Sequence, residues 1–150
     1  MRTLFAVLAR VALVGLSLPA AAQQPGNQPK EFKIIVNADN PVGILTPDDV
    51  SRLFLRKTAT WYDGQAVLPV DQNQHAAARA AFLREIHQKN EQALDAFWRQ
   101  QVFTGKAVPP LVLGSDAEVI DFVRRNPTAV GYVSAGVALG PEVKVVIINR

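Results

Sequence analysis

The chain of 150 residues has no cysteine. Disulfides, thiolate nucleophiles and a lipid-anchored leader are thereby excluded, and the fold must be held by its core. Histidine is scarce: His75 and His87 stand twelve positions apart. Paired metal ligands on a helix need a spacing of about four to reach one ion. No metal and no cofactor are therefore expected; His87 reads as a solvated helix residue and His75 as a surface one. No G-x-S-x-G elbow occurs, and nothing in the sequence assigns Ser134 a base. Asp48 and Asp49 are adjacent and face different ways on a helix. The chain does not read as an enzyme. "NPT" at Asn126–Thr128 carries proline in the middle and is no glycosylation acceptor.

Long apolar runs are also missing. "VALVGLSLP", after Arg10, falls short of the roughly 20 residues that a membrane span needs. Basic "MRTLFAVLAR", then this run, then "AAA" give the order of a signal peptide. The expected organisation is a leader over 1–22, a polar Pro/Gly linker over 23–31 and one domain over 32–150. Loss of Arg2 and Arg10 leaves 14 basic against 13 acidic residues, a net +1. No basic face for nucleic acid is expected, and no stable membrane insertion once the leader is gone. The expected location is periplasmic or secreted.

What is present is an alternation of strand and helix signals. "FKIIVN" is β-branched and reads as a buried strand. "TPDDVSRLFL" starts a helix, with Thr46 as N-cap, Pro47 first, acids in the first turn, and Val50, Leu53 and Phe54 on one face. "WYDGQ" turns at Asp63-Gly64, and "AVLPV" is the next strand. Residues 74–89 have helical character, with Ala78, Phe82 and Ile86 four apart. "NEQALDAFWRQQVF" is a helix capped by Asn90, and "TGKAVPPLVLG" reads as irregular. "SDAEVIDFVRRN" has a capping box of Ser115 with Glu118 and puts Val119, Phe122 and Val123 inward. Acids Asp116 and Glu118 suit its first turn. "AVGYVS" and "VKVVIIN" are further strands, whose mutual pairing the sequence leaves open. Trp61, Tyr62, Phe97 and Trp98 form either a stacking surface or core, and the helical spacing of Leu94, Phe97 and Trp98 favours core.

This order predicts an α/β fold with a mixed sheet flanked by helices. Ligands of such sheets sit beyond the carboxyl ends of strands. The join after Val70, Asp71-Gln72-Asn73-Gln74-His75, and the loop Gly114-Ser115 are the candidate ligand-binding residues.

The segment "LTPDDVSRLFLRKTATWYDGQAVLPV" resembles the "L…LA.IFLGK…W.DG..I.PV" block of phosphate-binding proteins of ABC transporters. "GSDAEVIDFVRRNPTAVGYVSAG" resembles their later "G…V…V...PGAIGYV" block. The resemblance runs from about Phe32 to Gly136 and implies the type II periplasmic-binding-protein fold, two α/β lobes around a ligand cleft. The family's N-terminal lobe with its "G.GAT" loop has no counterpart here, so a single lobe is expected. The family's Arg-Ser-Asp-Gly-Ser-Gly-Thr type loop is replaced by Asp71 to His75. A helix N-terminus favours an anion by about 0.3–1 kcal/mol, whereas one close unit charge is worth about 4 kcal/mol near the surface. Asp71 in place of arginine therefore predicts no tight phosphate binding, with Arg79 the nearest compensating cation.

Two functions follow. One is an exported solute-binding-protein-like domain that takes a small polar ligand or anion at Asp71–His75 with Gly114-Ser115. The alternative is an interaction module for another envelope protein.

Overall fold

The computed structural model describes residues 30–150. The expected leader over 1–22, and all of the expected linker except Lys30 and Glu31, lie outside the described residues. The strands are β1 (Phe32–Asn37), β2 (Ile44–Leu45), β3 (Leu68–Gln72), β4 (Leu111–Leu113), β5 (Ala129–Ser134) and β6 (Val143–Ile148). They form one sheet in the order β2-β6-β1-β5-β3-β4. β1 runs antiparallel to β5 and β6 on either side, while β2–β6, β3–β5 and β3–β4 pair in parallel. The "GYVS" and "KVVIIN" segments therefore do not pair with each other, because β1 lies between them.

The helices are α1 (Pro47–Phe54), α2 (Ala77–Phe82), α3 (Glu91–Phe103) and α4 (Asp116–Arg125), with a π-helical stretch, Leu83–His87, running on from α2. Strand alternation divides the core into two. Phe32, Ile34, Val36, Val130, Tyr132 and Val146 pack with α1, α2 and α3. Phe82 is central there, stacked on Tyr132 with ring centroids 4.1 Å apart. Ile35, Val70, Ala129, Val133 and Val143 pack on the opposite face with Val119 and Val123 of α4. Close approach of α4 to β5 requires Gly131: a Cβ there would lie 2.6 Å from Val119 Cγ1.

The helix ends explain the local folding. Thr46 and Asp49 form a full capping box, and Asn90 caps α3. The expected box at Ser115 closes differently. Ser115 Oγ accepts from Glu118 N at 3.2 Å, but the Glu118 carboxylate accepts from Gly114 N at 2.6 Å, one residue earlier. α1 ends with Arg56 N donating to Leu53 O at 3.2 Å and Lys57 N to Arg52 O at 2.8 Å. That is a Schellman ending, with Arg56 in the left-handed region at φ 57°. Asn37 caps the other end of α4, its Nδ2 donating to the carbonyls of Val123 and Arg124 at 3.1 and 2.9 Å.

Several sequence expectations are corrected. The helix read over 74–89 starts only at Ala77 and turns π-helical at Leu83. "TGKAVPPLVLG" contains an edge strand, β4, whose three residues carry little periodic signal. His87 is not solvated. It is buried, its Nδ1 lies 2.8 Å from Ser51 Oγ, and its ring stands edge-on to Phe82. The core reading of the aromatics, by contrast, holds: Trp61 and Trp98 are core residues while Tyr62 is exposed, so the four make no common stacking surface.

Candidate functional site

β3, β4 and β5 point their carboxyl ends the same way, so the join after β3 and the loop after β4 meet. Asn73 Nδ2 donates to Gly114 O at 2.8 Å, and Asn73 N donates to Leu113 O at 3.0 Å. The pair of loops singled out from the sequence is thus brought together. Their polar groups, however, turn mainly toward each other.

Asp71 and Gln72 are strand residues, not turn residues, and both are buried. The ladder between β3 and β5 registers only at Leu68 and Pro69. Beyond it, side chains take over the work of backbone pairing. Gln72 Nε2 donates to Tyr132 O of β5 and to Asp116 Oδ1 of α4, both at 2.8 Å. Gln72 N donates to Asp71 Oδ1 at 2.8 Å. The Tyr132 hydroxyl also donates to Asp71 Oδ1. Polar residues continue the strand because each buried polar atom has found a partner there.

Arg79 sits in α2 and is buried. Its NH1 lies 2.5 Å from Asp71 Oδ2 and donates to Gln72 O at 2.9 Å. Its Nε and NH2 hold the Glu91 carboxylate as a fork, at 2.6 and 2.9 Å. Burial alone would lower the Arg79 pKa, but the bond to Glu91 and the charge of Asp71 outweigh it, and the pKa is raised. Burial, then the Asp71 charge, push the Tyr132 pKa up, so the hydroxyl stays a donor. Burial acts to raise the Asp116 pKa as well, but bonds from Ser134 and Gln72 hold it below its usual value.

The remaining candidates divide. Asn73 Oδ1 accepts from His75 N at 2.9 Å and closes the turn. Gln74 and His75 are exposed. Ser115 is spent on capping α4, and Gly114 N on Glu118. Sequence reasoning missed Glu91, Asp116 and Tyr132, the partners that saturate the join. The place of Glu91 in the first turn of α3, directly after the cap Asn90, carried a local explanation that hid its long-range one.

Bordering the join lies an open groove of about 660 Å³ between α3 and β4. Trp98, Val102 and Phe103 of α3 form one wall, Pro109, Pro110 and Val112 the other, and Asp71 and Arg79 the floor. Among the described residues no group of three or more His, Cys, Asp or Glu is placed to hold a metal ion. Nor is any helix there long and apolar enough to cross a membrane.

No family model and no curated protein matches the chain. Solved structures do. A protein assigned as a phosphate ABC transporter substrate-binding protein, with bound phosphate, from Clostridium perfringens aligns with TM-score 0.62 at 19% identity, over 77% of this chain and 44% of that one. An ABC-type phosphate transport receptor from Vibrio cholerae aligns with TM-score 0.60 at 21% identity, over 77% and 45%. PstS from Borrelia burgdorferi aligns with TM-score 0.63 at 14% identity, over 80% and 47%. The chain spans less than half the length of each. At these identities the likeness carries the fold, and that fold is the α/β lobe of periplasmic binding proteins, with a mixed sheet between helices.

Proposed function

We propose that the chain is an exported binding-protein-like lobe that works by contact with another envelope protein, not by holding phosphate at the β3–α2 join. The commitment of Arg79 carries this reading. An anion at the join would have to displace carboxylates that already sit 2.5 and 2.6 Å from that guanidinium. Export rests on the order of basic, apolar and small residues in the leader. Apolar side chains left in water support a protein partner: Ile44, Val145 and Ile147 form an exposed stripe where α4 does not cover β6 and β2.

Thermal unfolding of the full chain with and without millimolar phosphate tests the first half. A ligand at 100 times its Kd would stabilise by about 2.7 kcal/mol, a shift of several degrees for a domain of this size. No shift is expected, and a clear shift overturns the reading. Capture from envelope extract tests the second half: a partner should be retained by the parent chain and lost by Ile147→Glu.

A second reading has one observation in its favour. A hollow of about 650 Å³ beside the join is lined by Gln74, Arg84, Gln88, Lys89, Asn90 and Glu91, with Ala80 and Leu83 supplying apolar wall. Lys89 makes no ion pair among the described residues. Calorimetry with phosphate, sulfate, amino acids and sugars checks it, and heat with any of them favours a small polar ligand.

A further inference from the structure

β4 is an edge strand that borders the α3–β4 groove. Its register with β3 pairs Val70 with Leu111, Asp71 with Val112 and Gln72 with Leu113. The bond from Asn73 N to Leu113 O fixes which residues face β3. In a parallel ladder alternate residues turn both backbone groups to one side. Leu111 and Leu113 therefore serve β3, and Val112 turns its N–H and C=O outward. No further backbone N–H is open along this edge in either direction. Pro109 and Pro110 have no N–H to offer, and Gly114 N is taken by Glu118.

The edge is thus one residue wide, and that selects its partner. A long peptide strand would be ordered along its length and gain the bonds of a single residue. In an antiparallel ladder, directly opposite residues at each hydrogen-bonded site exchange both N–H···O bonds. Val112 facing Val112 of a second copy across a two-fold axis satisfies both groups on each chain. The side chains around this edge fit the same partner. Phe103 is 92% exposed, and Val102, Val108, Leu111 and Val112 are each at least half exposed. A two-fold contact brings the same apolar patch from both copies and covers both at once. The α3 wall carries one base and one acid, Arg99 and Asp95, so pairing two walls adds no net charge.

We propose that the β4 edge and the α3–β4 groove are a self-association face, on which two copies join through Val112 into one continuous sheet. The proposal goes beyond the reading of function above and stands independently of it.

Sedimentation velocity of the purified full chain, over a wide range of concentration, tests the proposal with two variants. Val112→Pro removes only the outward N–H and leaves the bonds to β3. Phe103→Asp charges an exposed side chain that the folded monomer does not need. The parent chain is expected to reach twice the monomer mass as concentration rises. Both variants are expected to stay at monomer mass, with circular dichroism unchanged and with the thermal midpoint of the parent chain at dilutions where the parent is itself monomeric. A parent chain that stays monomeric at every concentration overturns the proposal and leaves the groove to a different partner. A dimer that survives Val112→Pro overturns the strand pairing, and one that survives both variants overturns the face.

Discussion

Asp71 and Arg79 form a buried ion pair across the β3–α2 join, with Oδ2 and NH1 2.5 Å apart. Removing one partner of such a pair leaves an uncompensated charge in the interior and costs about 3–5 kcal/mol. Arg79→Met is expected to lose that much in urea denaturation, since both Asp71 and Glu91 lose their cation. The double variant Asp71→Asn with Arg79→Met is expected to lose less than the sum of the single losses, because the two residues share one network. Additive losses would show that they are not coupled.

His87 makes stability depend on pH. Burial first, then the positive charges of Lys89, Arg79 and Lys57, lower its pKa from 6.5 to about 4. The unfolded chain therefore takes up the proton before the folded one does. The contribution of His87 is fully present above pH 6.5 and is lost as pH falls toward 4, by about 3 kcal/mol over that window. His87→Gln keeps an acceptor for Ser51 and removes the titration. The unfolding free energy of this variant should fall less between pH 7 and pH 4 than that of the parent chain, and equal slopes would refute the assignment.

Gly131 is set by the closeness of α4. A Cβ at that position would stand 2.6 Å from Val119 Cγ1 and 3.0 Å from Val70 Cγ2. Both valines are fully buried and have nowhere to move. Gly131→Ala is expected to destabilise by about 1–3 kcal/mol, as overpacking in a dense core does. A thermal midpoint equal to that of the parent would mean that α4 is free to shift.

Arg56 holds a position that glycine suits better. Its φ is 57°, and its buried Nε has no hydrogen-bond partner. A left-handed conformation costs a residue with a Cβ roughly 1–2 kcal/mol. Arg56→Gly is expected to raise the thermal midpoint by a few degrees. A lower midpoint would reveal a contact made by the guanidinium that outweighs the strain.

The parts of the fold that were legible in the sequence are those where local chemistry and burial agree. Thr46, Asn90 and Ser115 announce helix starts by capping, and "FKIIVN" and "AVGYVS" coincide with β1 and β5. The join was legible as a place and misread as a surface. A run of Asp, Gln, Asn, Gln and His looks solvated, yet Asp71 and Gln72 are interior because their partners come from α2, α4 and β5. Those partners lie 7 to 61 positions away in the chain, between Arg79 and Tyr132, and no local pattern announces them. β4 was missed for a related reason: its pairing is with β3 alone, and three residues bounded by Pro110 and Gly114 show no alternation.

The placement of β1 has a consequence for how the chain acquires its shape. It is the earliest strand in the described sequence, yet it sits inside the sheet, and both of its neighbours, β5 and β6, come from the last strands. Until residues 129–148 have been synthesised, Phe32–Asn37 has no strand on either side. Non-local closures of this kind come late and slowly, because the loop entropy must be met before any contact rewards it. The sheet is therefore completed only after almost the whole described chain exists, and its central strand is the last to gain its neighbours.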